Sequence, residues 1–334
     1  MSTLKEIVRT LQSFEGITRK YVIPTIIRKL REVSYRGGLP HSLGEDSATI
    51  GTEYDEYVLL TTDSVMEGLC LQHPHAAGFN VVLANVMDIY AAGGIPTSFA
   101  VALSYSDPAV GEHLLQGVID ASHAFRVPVV RGHTNPSASC TYIVGAATGT
   151  VKVDDVLTAG GATEGDYLIM LFDSKGHRGV HYHLGWDTVT RRSSDDNIQR
   201  LSVMTHIAQE HLANAAKDIS TAGVIGTAGM MVEYSGRGGV VNLDAIDQAR
   251  PPDIPLKDWV RMFISLGFLI ATDKSRCDKI QEIASEHGLV APVIGRVDSS
   301  RSLRLVLGAE EQVVFDFSDG PLLTPRNTMT EGPS

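Results

Sequence analysis

Tyr57-Val58-Leu59-Leu60-Thr61-Thr62-Asp63-Ser64 runs from an apolar stretch into hydroxyls and a carboxylate, and the fold is read outward from it. The apolar residues predict a strand over 57–62, paired with a shorter one over 47–50. Asp63 then stands at the strand tip with hydroxyl groups around it. Asp and Ser also close ordinary turns and caps, so the octet alone leaves both a ligand site and a plain turn open.

Downstream, 75–92 has the clearest helical pattern, with Phe79, Val82, Leu83, Val86 and Tyr90 on one side and Gly93-Gly94 as a terminator. Asn85 and Asp88 share a face of it at i, i+3. Strands follow over 98–104 and 142–150, with a helix over 108–125 between them. Upstream, Leu4, Ile7, Val8 and Leu11 mark a helix, and Ile26, Ile27 and Leu30 a second one started by Pro24 and broken by Gly37, Gly38 and Pro40. Strands and helices are mixed without strict βα alternation, which predicts an α+β fold. A polar, Gly-rich stretch over 153–165 sets the boundary between domains 1–153 and 154–334. The second half reads as a strand over 167–172, a polar stretch to 197, a helix over 200–216, a glycine-rich helix from Ala222, a strand over 268–272 and a helix over 275–287. The tail beyond Gly320 is expected to be loosely held.

The chain has 334 residues, 43% hydrophobic and 20% charged, which is enough for two domains with their own cores. No apolar run approaches the roughly 20 residues of a membrane helix. Three distant cysteines (Cys70, Cys140, Cys277) and the absence of a leader pattern predict a cytoplasmic protein. A net charge of -11 disfavours nucleic acid and anionic lipid as partners. Residues 1–36 are the exception at +5, either as solvated helix faces or as a basic arm over polyphosphate.

Asp46, Asp63, Asp88 and Asp218 each sit at an element edge beside glycine or hydroxyl residues. Magnesium takes oxygen ligands and bridges a few carboxylates to substrate phosphates, so scattered aspartates suit it. Asp218-Ile219-Ser220-Thr221 precedes a helix with Gly223, Gly226 and Gly229, fit for close packing or for phosphate at its N-terminus. Arg131-Gly132-His133-Thr134-Asn135-Pro136 reads as a polar loop after a strand over 127–130. His177, His181 and His183 fit either zinc or a substrate-contacting loop. The chain has no Walker-type phosphate loop, dinucleotide fingerprint, His-Glu-x-x-His, Cys-x-x-Cys or Gly-x-Ser-x-Gly.

From Gly44 to Gly295 these motifs, in this order, resemble the superfamily of aminoimidazole ribonucleotide synthetase, thiamine-monophosphate kinase, selenophosphate synthetase and the hydrogenase-maturation carbamoyl dehydratase. Gly44-Glu45-Asp46-Ser47-Ala48 is similar to its Gly-Asp-Asp-Ala-Ala. Thr61-Thr62-Asp63-Ser64 with Glu67-Gly68, Asn85-Val86-Met87-Asp88-Ile89 and Asp218-Ile219-Ser220 match its later motifs. The resemblance implies two α+β domains, strands paired across a homodimer, and ATP with Mg2+ near the interface. By carry-over Asp46, Asp63, Asp88 and Asp218 hold the metal, while Thr62, Asn85, Gly132, His133, Thr134, Ser220 and Thr221 line the nucleotide. His133 and Lys20, with Lys29, are the candidates to contact the transferred phosphate.

Departures narrow the substrate. Gly132-His133-Thr134 is nearer the selenophosphate synthetase pattern than the kinases' Gly-Gly-Asp-Thr, yet no cysteine precedes Gly44. Cys70 stands where thiamine-phosphate kinases have a substrate-facing histidine, and Thr221-Ala222 replaces their second Asp-Gly. The expectation is an ATP- and Mg-dependent kinase or ATP-driven ligase acting on a small molecule through a branch-specific substrate site. The alternative is a nucleotide-binding scaffold or sensor that kept the fold and lost the chemistry.

Overall fold

The computed structural model describes residues 3–35, 41–52 and 54–324. Arg36 of the basic segment, the breakers Gly37, Gly38 and Pro40, and the tail from Pro325 lie outside them. The chain opens with α1 (Leu4–Gln12), α2 (Glu15–Thr18) and α3 (Ile23–Val33), the last carrying Pro24 in its first turn. Leu4, Ile7, Val8 and Leu11 are all buried, as the i, i+3, i+4 spacing requires. They pack into the C-terminal core beside Phe315, and Gln12 Nε2 donates to the Val314 carbonyl at 3.2 Å. The first helix is therefore part of the C-terminal core, although its sequence position groups it with 1–153.

The N-terminal domain is built from β1 (Ala48–Gly51), β2 (Glu56–Ser64), α4 (Glu67–Gln72), α5 (Pro74–Ala91), β3 (Ile95–Tyr105), α6 (Pro108–Phe125), β4 (Val129–Pro136) and β5 (Tyr142–Lys152). The sheet order is β1-β2-β5-β3-β4, antiparallel apart from the β3–β4 pair. Helices α5 and α6 cover one face, and Gly78 and Gly117 let them touch backbone to backbone. A Cβ at Gly78 would lie 1.9 Å from the Leu114 carbonyl oxygen, and one at Gly117 2.0 Å from that of His75. Along β5, Ile143, Gly145, Ala147, Gly149 and Val151 are buried while the residues between them are not, so the opposite face is uncovered.

The C-terminal domain runs through β6 (Tyr167–Leu171), β7 (His177–Arg178), β8 (Gly185–Asp187), α7 (Ser194–Gln209), β9 (Ala215–Asp218), α8 (Gly223–Tyr234), β10 (Gly238–Asn242), α9 (Leu243–Ala249), α10 (Leu256–Trp259), β11 (Phe263–Ile264), β12 (Phe268–Thr272), α11 (Cys277–Glu286), β13 (Val293–Asp298), β14 (Ser302–Leu307) and β15 (Glu310–Asp316). Its seven-stranded sheet has the order β15-β14-β10-β13-β6-β12-β9, while β11, β8 and β7 form a small separate sheet. Both faces of its β6-β12-β9 part are buried, whereas β14 and β15 leave part of one face at the surface, Val313 among it. In β6, Leu168 and Met170 point into the core shared with α8 and α1, and Ile169 and Leu171 into the core shared with α7, α11 and α5.

Two predicted elements change. The helix expected over 200–216 starts earlier, where Ser193 caps α7 by accepting from Asp196 N, and ends at Gln209. The chain then turns through His211 at φ 51° and continues as strand β9, whose four residues are all buried. An unbroken buried run carries no period that separates helix from strand. The polar loop expected at 131–136 belongs to β4, an edge strand hydrogen-bonded to β3, and its polarity is that of a strand facing solvent.

Candidate functional site

A cleft of about 890 Å³ opens where the two domains meet. His75, Phe79, Leu83 and Asp88 line it in turn, so it follows α5 for roughly 20 Å at 1.5 Å per residue. The four aspartates come together at its Asp88 end. Asp46 precedes β1, Asp63 stands near the end of β2, Asp88 lies in the last turn of α5, and Asp218 ends β9. One oxygen each from Asp46, Asp88 and Asp218 lies within 4.8 Å of the others, and Asp63 is hydrogen-bonded to Asp88. Among the described residues this is the only set of three or more His, Cys, Asp or Glu side chains placed to share an ion.

The surroundings hold the carboxylates in place. Ser47 Oγ donates to the Asp88 carbonyl at 3.0 Å, and Thr61 Oγ1 donates to the Asp88 carboxylate. Burial, then Asp63, Asp218 and Asp46, pushes the Asp88 carboxyl well above its ordinary range. Burial also raises Asp63, with Lys20 opposing. Asp218 is pushed up to about 7 by burial and by Asp46, against Lys217 and Lys20. These are the signs of carboxylates gathered with too little positive charge among them.

Three cationic side chains line the same end: Arg19, Lys20 and Lys217. Lys217 Nζ pairs with Asp46 Oδ1, with only 7% and 11% of the two side chains exposed. Burial works against its charge, but Asp46 and Asp218 outweigh it and the ammonium is pushed up to about 12. Lys20 differs: burial, Arg19 and Lys217 lower it. Arg19 donates to Thr221 Oγ1. Ser220 and Thr221 line the cleft just before α8, whose N-terminus has no side-chain cap, and Ser220 Oγ is buried without a hydrogen-bond partner. Ser220 Oγ and the Thr221 hydroxyl thus stand in the cleft beside the aspartates, while the first N–H of α8, that of Gly223, is bonded to the Ser220 carbonyl at 2.9 Å.

Other nominated residues lie elsewhere. Thr62 reaches the cleft, and its hydroxyl donates to the Gly145 carbonyl at 2.9 Å. Asn85 does not: it is fully buried under the sheet and its amide donates to Val81 O at 2.8 Å. Gly132, His133 and Thr134 are exposed on the edge strand β4 and do not line the cleft. Cys70 is buried in α4 and Lys29 is exposed on α3, both outside the cleft. The three histidines diverge: His177 faces Asp187 at 3.8 Å, His183 lies against Arg178 and Asp258, and His181 stacks on His73 with ring centroids 4.2 Å apart. No zinc set forms from them. Sequence reasoning missed Lys217, and the available signal was a lysine inside the otherwise apolar run before Asp218. The wall made by Tyr182, Trp186, Asp187 and Thr190 falls in the segment expected to contact substrate, although no motif singled out these four residues.

Residues 44–151 match the N-terminal domain of AIR synthase related proteins, and residues 163–308 match the C-terminal domain. The chain belongs to the AIR synthase related family. Within it, an uncharacterised protein of Methanocaldococcus jannaschii is 33% identical over 94% of this chain and 97% of its own length, and one from Synechocystis is 31% identical over 96% and 98%. The family fold recurs in Thermotoga maritima PurL complexed with AMPPCP, with a TM-score of 0.72 and 18% identity over 97% of this chain. It recurs also in AaThiL complexed with AMPPCP and TMP, with a TM-score of 0.63 and 19% identity over 88% of this chain and 96% of that one. The chain spans about half (52%) of the PurL chain. Among the described residues no helix is long and apolar enough to cross a membrane.

Proposed function

We propose that this protein binds ATP with Mg2+ in the interdomain cleft and uses it to phosphorylate or activate an oxygen of a small molecule. The observation that carries the reading is the convergence of Asp46, Asp63, Asp88 and Asp218, from both domains, beside Lys20, Arg19 and the uncapped start of α8. Convergent carboxylate oxygens, with raised proton affinity at Asp63, Asp88 and Asp218, fit a hard divalent cation, and Asp46, Asp88 and Asp218, with Asp63, are the residues to hold it. When bound, Mg2+ supplies charge neutralisation to the phosphates.

The chain's own groups do the rest. Lys20 and Arg19 bind and orient the triphosphate, with the hydroxyls of Ser220 and Thr221 as further donors. The cleft continues along α5 past Phe79 and Leu83 towards His75, leaving room for the acceptor under the hairpin that carries Tyr182 and Asp187. Positioning and charge stabilisation suffice for such a transfer, so no nucleophilic side chain is required. AMPPCP in two proteins of the same fold supports the nucleotide.

The uncovered face of the N-terminal sheet supports a homodimer. Leu60, Ile95, Val130 and Tyr142 are 40%, 53%, 63% and 42% exposed, with His133 on the neighbouring edge strand. A scaffold or sensor reading draws on Glu45, which accepts from Ala159 N at 2.8 Å where the related motif has aspartate, and on Lys217 occupying Asp46. Calorimetric titration of ATP with and without Mg2+, on wild type and Asp63→Asn, with ADP release followed in the same samples, separates the readings. Mg-dependent binding weakened in the variant, with ADP release in wild type, is expected for the enzyme. Binding with no ADP release at any acceptor favours the sensor, and no binding to folded protein removes both.

A further inference from the structure

We propose that Lys217 is a fixed internal cation of the aspartate site, standing against Asp46 where a second divalent ion would otherwise sit, so that the nucleotide-free protein binds one such ion per chain. The inference rests on the metal reading above and concerns how many ions the four carboxylates take. Asp46 is one of the three aspartates with convergent oxygens, and Lys217 Nζ already occupies its Oδ1. With Oδ1 held by the ammonium, Asp46 keeps only Oδ2 for the ion it shares with Asp88 and Asp218, and a second dication on the same carboxylate would lie against the ammonium in a site shielded from water. Lys217 has no easy exit: its side chain is 7% exposed, and a buried ammonium without its partner is strongly penalised.

The backbone makes the placement rigid. Lys217 lies within β9, where it pairs with Leu269 of β12, directly before Asp218. Its Nζ is therefore delivered from a sheet strand and joins the C-terminal domain to the Asp46 segment of the N-terminal domain. Charge points the same way. The groups facing the site are the carboxylates of Asp46, Asp63, Asp88 and Asp218 and the cations of Lys217, Lys20 and Arg19, the last also bonded to Thr221. Three cations against four carboxylates leave a deficit that one dication more than fills. A second ion would overcharge the pocket while Lys217 holds Asp46 Oδ1, and becomes acceptable once Lys217 is replaced by an uncharged side chain and both oxygens of Asp46 are open.

The test counts ions rather than turnover. Mn2+ is titrated into the full-length, nucleotide-free protein, and the free ion is followed by electron paramagnetic resonance. Wild type is expected to bind one Mn2+, Lys217→Met two, and Asp46→Asn/Lys217→Met one, with folding of each checked by circular dichroism. Two ions in wild type, or one or none in folded Lys217→Met, would overturn the proposal. If Lys217→Met folds only when Mn2+ is present, the ion has replaced the ammonium and the proposal stands. If it never folds, the double variant decides, and two ions there would overturn the proposal. Mg-dependent AMPPCP binding by wild type is measured alongside. Its persistence with two Mn2+ bound would remove this inference and keep the nucleotide reading, whereas no Mn2+ and no nucleotide binding would remove both.

Discussion

The two large sheets of this molecule are treated differently. The β6-β12-β9 part of the seven-stranded sheet is sealed on both faces, with alternate residues of β6 and β12 feeding separate cores. The five-stranded sheet is sealed only by α5 and α6, and its other face shows Leu60, Ile95 and Tyr142 to solvent. The aspartates gather on the covered side, at the seam between the domains, while Gly132, His133 and Thr134 sit on the open edge. On the reading proposed above, this division puts the metal half of the site within one chain and leaves the exposed β4 residues to act through a second copy.

The comparison breaks most visibly if a charge is tolerated equally in both sheets. Ile270→Asp, in a strand buried on both sides, is expected to cost on the order of 4 kcal/mol or more and to leave little folded protein by circular dichroism. Leu60→Asp should cost less than about 1 kcal/mol in a single chain, yet halve the mass seen by light scattering. A wild type that is already monomeric at tens of micromolar would break the comparison at its open face.

The covered side is sharpened by Asp88→Asn. It removes the carboxylate most crowded by its neighbours, so the metal-free protein should gain on the order of 1–3 kcal/mol in thermal unfolding while losing its Mg2+-induced stabilisation. A smaller effect follows from pH. The folded protein keeps protons on Asp63, Asp88 and Asp218 that the unfolded chain releases near 3.8, and Asp218 retains its proton up to about 7. Because the folded state binds more protons in that window, the cluster's contribution to stability is greatest below it and declines as pH rises from 3.8 to about 7. Thermal melts in EDTA should show the decline, and saturating Mg2+ should suppress it. The smallest effect is expected for His133→Ala, which should leave Mn2+ affinity of the single chain unchanged and alter only nucleotide handling in the dimer.

Much of this was legible from local chemistry. The strand-tip Asp63, the helix-end Asp88 and the Asp218 before a glycine-rich helix each announced a carboxylate at an element edge, and the motif order joined them, although the expected exposure is replaced by burial at Asp218. What misled was any inference from sharing a helix face: Asn85 is three residues from Asp88, but Gly145 lets β5 lie against its amide and closes it off from the cleft. Strand β9 and edge strand β4 were misread because burial on all sides, or on none, erases the alternation that marks a strand. Lys217 was passed over for a different reason. Its role depends on Asp46, which is 171 residues away and brought alongside only by the packing of the two domains.

The most direct test of the account is the anomalous diffraction of Mn2+ in crystals grown with AMPPCP. The account predicts a peak bounded by Asp46, Asp88 and Asp218, with the phosphates between it and the start of α8. A nucleotide bound away from these carboxylates, or bound with no Mn2+ beside them, would contradict it.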